Sequence, residues 1–180
     1  TERKIVTVNQ AGNAVPFLWG NLGANQKDSL FPSKPARGLL VLEFLRGSRL
    51  TEGTKLHQFR VRDNALGDIV DSSPVFVGKP NQPYRDSDDP GYSAFKSALA
   101  GRAARVYVGA NEGMFHAFDD ATGNETWAYV PSQFYRGGTA GGDPKAGLGA
   151  LAYQDGALPP FKHHFFVDST ARITDVDFGS

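Results

Sequence analysis

The chain has 180 residues, enough for one domain with a sizeable hydrophobic core. It carries 19 basic and 19 acidic side chains, and this net charge of zero gives no support for a nucleic-acid partner or a polybasic membrane surface. Cysteine is absent, which excludes a disulfide, a thiolate zinc site and a cysteine nucleophile within the chain, and no apolar run reaches the roughly 18 residues of an integral membrane segment.

Residues 1–65 are predicted to form a lead-in segment of the main domain. Strands are expected at residues 4–8 and 15–19, on either side of a turn at residues 11–13. The apolar run at residues 39–46 fits a helix or a strand equally well, because periodicity alone does not separate the two.

Residues 66–134 are predicted to form one sheet unit that is interrupted by an insertion. Residues 66–78 contain an apolar strand with small residues and Pro74, which suggests a tight inner strand. Residues 79–104 form the insertion. Within it, Tyr92, Phe95 and Leu99 are spaced as on one face of a short amphipathic helix.

Three short strands follow as an antiparallel meander. They are expected at residues 106–108, 114–118 and 126–130, where β-branched and aromatic side chains are frequent. The first turn contains Gly113, and glycine is suited to the left-handed position of a three-residue hairpin loop. In the second turn, the Asp119 carboxylate can accept bonds from nearby backbone N–H groups. Pro131 then ends the third strand.

The spacing Ala-Phe-Asp-x-x-Thr-Gly-x-x-x-Trp over residues 117–127 resembles the repeat of quinoprotein-like β-propeller blades. In that repeat the tryptophan packs between neighbouring blades, so we assign Trp127 to packing and Asp119 to turn capping. The predicted fold is mainly β: a fragment of a quinoprotein-like β-propeller, with antiparallel meander blades and insertions that carry a helix and loops.

Two further segments complete the predicted organisation. Residues 135–162 form a Gly/Pro-rich loop, and residues 163–180 start the next blade with strands at 165–167 and 173–176. One blade and part of another do not close a propeller, which has about four to eight blades. We therefore expect the chain to be a fragment of a longer protein.

The acidic loop at residues 86–89 is the first candidate for an ion site. Its three carboxylates lie beside a glycine bend, but their spacing departs from known calcium loops, and we interpret the loop as solvated. Asp175, Asp177 and Gly179 have the spacing in which a calcium loop can begin. Neither segment is assigned as a metal site.

Histidine and serine residues also give no catalytic constellation. Adjacent residues of a strand face opposite sides, so His163 and His164 are not expected to chelate one metal. The remaining candidates lack the partners that zinc sites, hydrolase elbows or phosphate loops require. These candidates are His57, His116, Ser72, Ser73 and Lys145. We predict no catalytic, cofactor-binding or metal-binding residue.

Three segments in order resemble the propeller of the PilC/PilY family of type IV pilus biogenesis and tip-associated adhesion proteins. They are LGDIVDSSPVFVG (66–78), YSAFKSALAGRAARVYVGANEGMFHAFDDATGNETWAYVP (92–131) and HHFFVDSTARITDV (163–176). The lead-in sequences RKIVTVNQAGNAVPFLWGNL and LVLEFLRG also fit that family. The combination of "GDIVxSSPxxVG" with "VYVGANxGMxHAF" is more specific than the blade repeat alone.

The resemblance implies a non-enzymatic module of an exported protein, placed at the cell surface or pilus tip and either associated with the outer membrane or extracellular. It implies roles in pilus assembly, control of retraction and surface attachment. The implied partners are pilin subunits or minor pilins, and a host or abiotic surface. It also implies calcium binding by the family, in a loop expected downstream of this segment.

Two alternatives share the blade repeat. One is a fragment of an alcohol dehydrogenase that uses pyrroloquinoline quinone, an enzyme class with a vicinal disulfide beside its cofactor that this cysteine-free chain does not supply. The other is a periplasmic propeller scaffold for outer-membrane assembly. The blades of such scaffolds are usually plain, whereas this chain is predicted to carry long insertions at 79–104 and 136–162, where partner surfaces are expected.

Overall fold

The computed structural model describes residues 3–55, 58–136, 146–153 and 161–175. Its centre is one six-stranded sheet with the strand order β2-β1-β6-β5-β4-β3. The strands are β1 (Ile5–Val8), β2 (Ala14–Pro16), β3 (Val75–Val77), β4 (Arg105–Ala110), β5 (Met114–Asp119) and β6 (Glu125–Val130). The α-helices are α1 (Ala24–Leu30), α2 (Pro35–Leu45) and α3 (Tyr92–Ala98). Short 3-10 helices lie at Trp19–Asn21, Ser132–Arg136 and Leu148–Ala152.

Strands β4, β5 and β6 form the predicted antiparallel meander, and each turn has the expected chemistry. Gly113 has a φ of +92°, and its N–H donates to the carbonyl of Ala110 at 3.1 Å. In the second turn, Oδ1 of Asp119 accepts bonds from the N–H and the hydroxyl of Thr122, at 3.1 and 2.9 Å. The predicted capping role of Asp119 is therefore confirmed, and both hairpins are defined by local contacts.

The lead-in segment belongs to the same sheet. Strand β1 pairs in parallel with β6, so that Ile5 lies opposite Ala128, and it pairs antiparallel with β2. The predicted strand at residues 15–19 is only partly correct, because β2 ends at Pro16. The N–H of Leu18 turns back to the carbonyl of Pro16 at 2.7 Å, which takes the chain out of the sheet before Trp19.

The ambiguous apolar run at residues 39–46 is helical. Helix α2 begins with Pro35, which has the fixed φ that suits a first helical turn. Val41, Leu42, Phe44 and Leu45 are buried on one side of this helix, whereas Leu39 and Leu40 are partly exposed. This spacing places one apolar face of α2 in the protein interior.

The core lies between one face of the sheet and the helices of the lead-in segment. The sheet supplies Ile5, Met114, Ala128 and Val130 to this cluster. The remaining buried members come mainly from α1, α2 and the 3-10 helix within the predicted Gly/Pro-rich loop, and they include Leu30, Val41, Leu42, Phe44, Leu45, Leu148 and Leu151. The described part of that loop therefore contributes to the core.

The opposite face of the sheet carries an aromatic cluster of Tyr107, Phe115 and Trp127. The rings of Tyr107 and Phe115 are stacked with centroids 6.0 Å apart, and Trp127 lies 6.0 and 6.2 Å from them. Trp127 is half-buried. Its packing role is thus visible within the blade, and its contact with a neighbouring blade stays a prediction.

Two predicted strands near the end of the chain are not observed. Within the described residues 161–175 there is no strand, and Val176, Asp177 and Gly179 lie outside the described part. The apolar side chains of this segment are used for packing instead: the Phe166 ring lies 5.2 Å from that of Phe134. A strand also needs backbone hydrogen bonds to a neighbouring strand. In this segment side-chain oxygens accept backbone N–H groups instead, and Oγ1 of Thr170 accepts the N–H of Ser73 at 2.9 Å.

The insertion at residues 79–104 contains the predicted short helix, α3, beside the edge strand β3. The strand predicted within residues 66–78 is confined to Val75–Val77. Among the described residues, no helix combines the length and the apolar character that crossing a bilayer requires.

Candidate functional site

A cleft of about 550 Å³ opens between the insertion and the outer edge of β3. We call it the insertion cleft. One wall contains Phe76 and Val77 of β3, and the floor contains Arg102 with residues 173–175. The opposite wall is built from Pro80, Tyr84, Pro90, Tyr92 and Phe95 of the insertion. The cleft therefore combines aromatic and proline side chains with polar and charged ones, and the latter include Lys79, Asn81, Gln82, Asp89 and the pair of Arg102 and Asp175.

The acidic loop of the insertion holds the start of helix α3. Asp86 accepts bonds from the N–H of Ser93 at 2.8 Å and from its hydroxyl at 2.6 Å. These bonds lower the pKa of the Asp86 carboxyl, because they favour its charged form. The N–H groups of Asp88 and Asp89 donate to the carbonyl of Arg85. In this structure the loop thus has a structural role in presenting α3.

Arg102 and Asp175 form the base of the insertion cleft. The guanidinium binds the Asp175 carboxylate through two nitrogens, at 2.5 and 3.2 Å, and its Nε donates to the carbonyl of Gly78 at 2.7 Å. A bidentate pair of this kind fixes orientation as well as distance. Arg102 therefore connects the end of β3 at Gly78 to Asp175 of the segment at residues 161–175.

The aromatic wall of the cleft is formed by three rings. Tyr92 is buried, and its ring lies 5.3 Å from that of Tyr84 and 6.0 Å from that of Phe95. The Tyr92 hydroxyl accepts the N–H of Gln82 at 2.9 Å, which ties the loop to the helix. Tyr84 is 56% exposed, so its ring remains accessible from the cleft mouth.

A second cluster of functional groups lies inside the sheet around His116. Its side chain is fully buried, with Nδ1 2.8 Å from Oε1 of Glu125 and Nε2 in hydrogen-bond contact with Glu112. Glu125 also receives two bonds from Arg3, both at 2.7 Å. The other carboxylate oxygen of Glu112 accepts the N–H of Gly67 at 2.7 Å. Two carboxylates are thus balanced by one guanidinium and one imidazolium.

This ionic cluster shifts the pKa values of its members in opposite directions. Burial by itself would lower the pKa of His116, but the bonds to Glu112 and Glu125 outweigh it and the pKa is raised. Burial would raise the pKa of Glu125, whereas the bonds from Arg3 and His116 lower it to about 2. The charged forms of His116 and Glu125 are therefore favoured in the folded chain.

The His116 cluster is structural in this geometry. Both imidazole nitrogens are occupied by carboxylates, and the ring has no exposed surface through which a substrate could reach it. Ser72 accepts the N–H of Gly109 at 3.0 Å, within the sheet. General-base catalysis needs a nitrogen within reach of the reacting proton, which this arrangement does not offer.

The other histidines are separated from one another. His163 bonds to Asp68 at 2.8 Å, while the ring of His164 stacks on Phe166 with centroids 5.4 Å apart. Within residues 3–55, 58–136, 146–153 and 161–175, no three or more metal-ligating side chains are grouped as an ion site would require. Two further candidates, His57 and Lys145, lie outside the described residues.

The sequence reasoning missed the ionic cluster, although a signal for it exists. Glu112 lies in the first hairpin turn, His116 lies on β5 just after it, and Glu125 follows on β6, so the meander itself brings acid and imidazole together. Arg3 comes from 122 positions away and has no local signal.

Comparisons with known proteins agree with this picture. Residues 66–180 match the sequence profile of a family that is described as "PilY1 beta-propeller domain". Type IV pilus biogenesis factor PilY1 of Pseudomonas aeruginosa strain PAO1 is 38% identical over 98% of this chain. A PilY1 homolog of Xylella fastidiosa strain Temecula1 is 33% identical over 97% of it. The chain spans about 13–15% of the length of these relatives. No solved structure matches the chain.

Proposed function

We propose that this chain, which belongs to the PilC/PilY family, serves type IV pilus biogenesis as a non-catalytic propeller module. Its membership of the family follows from the match of residues 66–180 to the PilY1 propeller. The observation that carries this proposal is the family match, together with relatives that are named pilus biogenesis factors. The enclosed His116 cluster, with both ring nitrogens bonded to carboxylates, is consistent with a structural use for these titratable groups.

Recognition is assigned to the insertion rather than to the meander. The meander strands and lead-in helices supply the buried core, whereas the insertion cleft leaves Phe76 and Tyr84 more than half exposed. Exposed loops on a rigid scaffold are the usual place for binding residues. Pilus components, as pilins or minor pilins, are the proposed partners, and the complete protein is proposed to act after export, at the cell surface or pilus tip.

Control of retraction and attachment to a host or abiotic surface are proposed as consequences of that location. Calcium, which the family resemblance implies, is proposed to bind downstream of residue 180.

The proposal is tested by deleting the gene in the source bacterium and complementing it with the complete coding sequence. We expect the deletion to reduce surface pili and twitching motility, and complementation to restore both. Normal piliation, motility and attachment in a deletion strain without a compensating paralogue would contradict the proposal. Adding pyrroloquinoline quinone and calcium to the purified complete protein separates the enzyme alternative, because a bound quinone changes the absorbance spectrum.

A further inference from the structure

Residues 70–73 and residues 167–170 have nearly the same sequence. The first segment reads Val-Asp-Ser-Ser and the second reads Val-Asp-Ser-Thr, and we call them the first copy and the second copy. A match of four residues carries little weight by itself. The arrangement of the two copies in space is an independent observation, because the folded chain brings them side by side.

The second copy binds the first copy in register. Oδ1 of Asp168 accepts the N–H of Asp71 at 3.1 Å. Oγ1 of Thr170 accepts the N–H of Ser73 at 2.9 Å. Each bonded pair is 97 positions apart, which is also the separation of the two copies along the chain. Equivalent residues therefore lie opposite each other, the two copies run parallel, and the repeat in sequence coincides with a repeat in space.

The same register continues beyond the copies to the end of β3. Arg102 donates to the carbonyl of Gly78 at 2.7 Å and to the Asp175 carboxylate at 2.5 and 3.2 Å. Gly78 and Asp175 have the same separation in sequence as the two copies. The alignment therefore extends over residues 71–78 and 168–175, and it is not limited to one turn.

Each copy has a donor side and an acceptor side. Backbone N–H groups of its second and fourth residues form the donor side, and side-chain oxygens at the same two positions form the acceptor side. The third residue bonds within its own sheet, since Oγ of Ser72 accepts the N–H of Gly109 in β4 at 3.0 Å. Gly109 also admits the second copy, because a side chain at this position would collide with the carbonyl of Val167. The first copy therefore bridges its own sheet and the copy beside it.

The acceptor side of the first copy has no partner within the part of the chain that the structure describes. Asp71 and Ser73 are exposed, and no described residue bonds to their side-chain oxygens. These oxygens have the same chemistry as the ones that Asp168 and Thr170 use. In a head-to-tail arrangement each unit repeats the contacts of its neighbour. The acceptor side of the first copy should therefore receive the donor side of another copy.

We propose that this four-residue unit is a connector between successive blades, and that Asp71 and Ser73 accept backbone N–H groups from the equivalent segment of another blade of the same protein. The sequence of this chain holds two copies, and the chain spans about 13–15% of the length of its relatives, so that segment belongs to the remainder of the complete protein. Side chains make the connection because blades are separate sheets arranged radially, without the spacing of about 4.8 Å that a backbone ladder requires. The inference rests on the propeller fold and does not depend on the role in pilus biogenesis.

The bonds between the two observed copies provide the reference experiment. Hydrogen–deuterium exchange is measured by mass spectrometry on the purified complete protein. Asp168→Leu combined with Thr170→Val removes both acceptors at nearly constant volume. We expect the amides of residues 71–73 to exchange about tenfold faster, which corresponds to the loss of one hydrogen bond each.

The proposed contact is tested in the same way with Asp71→Leu combined with Ser73→Ala. We expect about tenfold faster exchange in one segment outside residues 1–180, which identifies the equivalent segment of the other blade. Asp71→Asn combined with Ser73→Thr keeps an acceptor oxygen at each position and should retain the wild-type exchange pattern. Both positions are exposed in this structure, so these variants are expected to fold. If the first double variant does not fold, Asp71→Leu alone is measured instead.

A matched control makes the same chemical changes elsewhere on the surface. Asp88→Leu combined with Ser87→Ala alters two exposed residues of the insertion, and it should change exchange only within the insertion.

Three results would overturn the inference. The first is wild-type exchange outside residues 1–180 when Asp71 and Ser73 are replaced by Leu and Ala. The second is an equal change when they are replaced by Asn and Thr. The third is unchanged exchange of residues 71–73 in the reference experiment. Piliation of the deletion strain judges the proposed function separately, so either conclusion can fail while the other stands.

Discussion

Nδ1 of His116 lies 2.8 Å from Oε1 of Glu125, and the same imidazole contacts Glu112 through Nε2, in the buried face of the sheet. Both contacts are favourable only when the ring carries two N–H groups, because each nitrogen then donates to a carboxylate. Arg3 holds the second side of Glu125 and reaches the carbonyl of Arg46 at 3.1 Å. The cluster therefore joins the lead-in segment to the meander through charge.

The first prediction concerns stability at high pH. The pKa of His116 is raised in the folded chain, so its stabilising contribution is fully present below its usual pKa of 6.5 and is lost as the pH rises through the folded value. Unfolding in urea from pH 5 to 9 should therefore show a loss of stability in the wild type that is smaller in His116→Gln. Identical pH profiles for the two proteins would contradict this role.

Low pH should weaken the cluster through the carboxylate. The pKa of Glu125 falls from the usual 4.5 to about 2 on folding, so its contribution is present above pH 4.5 and is lost as the pH drops toward 2. The thermal midpoint of Glu125→Gln should accordingly vary less than that of the wild type over this range. The window in which both contributions are complete lies between 4.5 and 6.5, the usual values of the two groups.

Neutralising Glu125 should also destabilise the protein at neutral pH. Glu125→Gln leaves Arg3 and His116 without their shared counter-charge, and removing one partner of a largely buried ion pair costs about 2–4 kcal/mol. Glu43→Gln changes the same functional group at an exposed position of α2 and should cost less than about 0.5 kcal/mol. Comparable losses from the two substitutions in chemical denaturation would show that the cluster contributes nothing specific.

A pair of glycines tests the geometry of the meander. Gly113 and Gly123 both have positive φ, at +92° and +71°, but a side chain at Gly113 would also collide with Leu148, whereas Gly123 faces open space. Gly123→Ala should cost about 1–2 kcal/mol through backbone strain alone. Gly113→Ala should cost about 1–3 kcal/mol more, because the core must also shift. The difference in unfolding free energy is the measurement, and equal losses would argue against the placement of the 3-10 helix over this turn.

Trp127 supports the aromatic face of the blade. Trp127→Ala should lower the free energy of unfolding by about 2–4 kcal/mol, toward the lower part of the range for a large aromatic residue because the side chain is half-buried in this structure. Trp127→Phe keeps a ring against Tyr107 and Phe115 and should lose less than half as much. An unchanged melting temperature in Trp127→Ala would remove support for the blade assignment.

The sequence predicted those parts of the fold that depend on neighbouring residues. The hydrogen bonds of Gly113, Asp119 and Thr122 join residues only a few positions apart in sequence. The meander and its turns could therefore be predicted from local sequence. The pairing of β1 with β6 joins segments more than 100 positions apart, and no local pattern indicates it. Such long-range pairing is decided by the packing of the whole core.

Apolar patterns were less informative where one pattern fits two environments. Residues 165–167 are aromatic and β-branched like a strand, but Phe166 packs on Phe134 and the segment lacks a backbone ladder. The sequence predicted partner contacts at the insertion, and that role stays a prediction. In the insertion, Tyr84 and Phe95 each pack on Tyr92, beside the bond from the N–H of Ser93 to Asp86 at the start of α3.

Replacing residues 85–89 by a neutral linker of equal length tests whether the insertion serves pilus biogenesis. The linker removes the Asp86 bonds that hold the start of α3, and it spares the buried core. Surface pili are counted in strains that produce the wild-type or linker protein at equal level, beside the deletion strain. We expect fewer pili or weaker attachment in the strain with the linker protein. If the deletion strain loses pili and attachment but the linker strain keeps both at the wild-type level, the insertion does not serve pilus biogenesis.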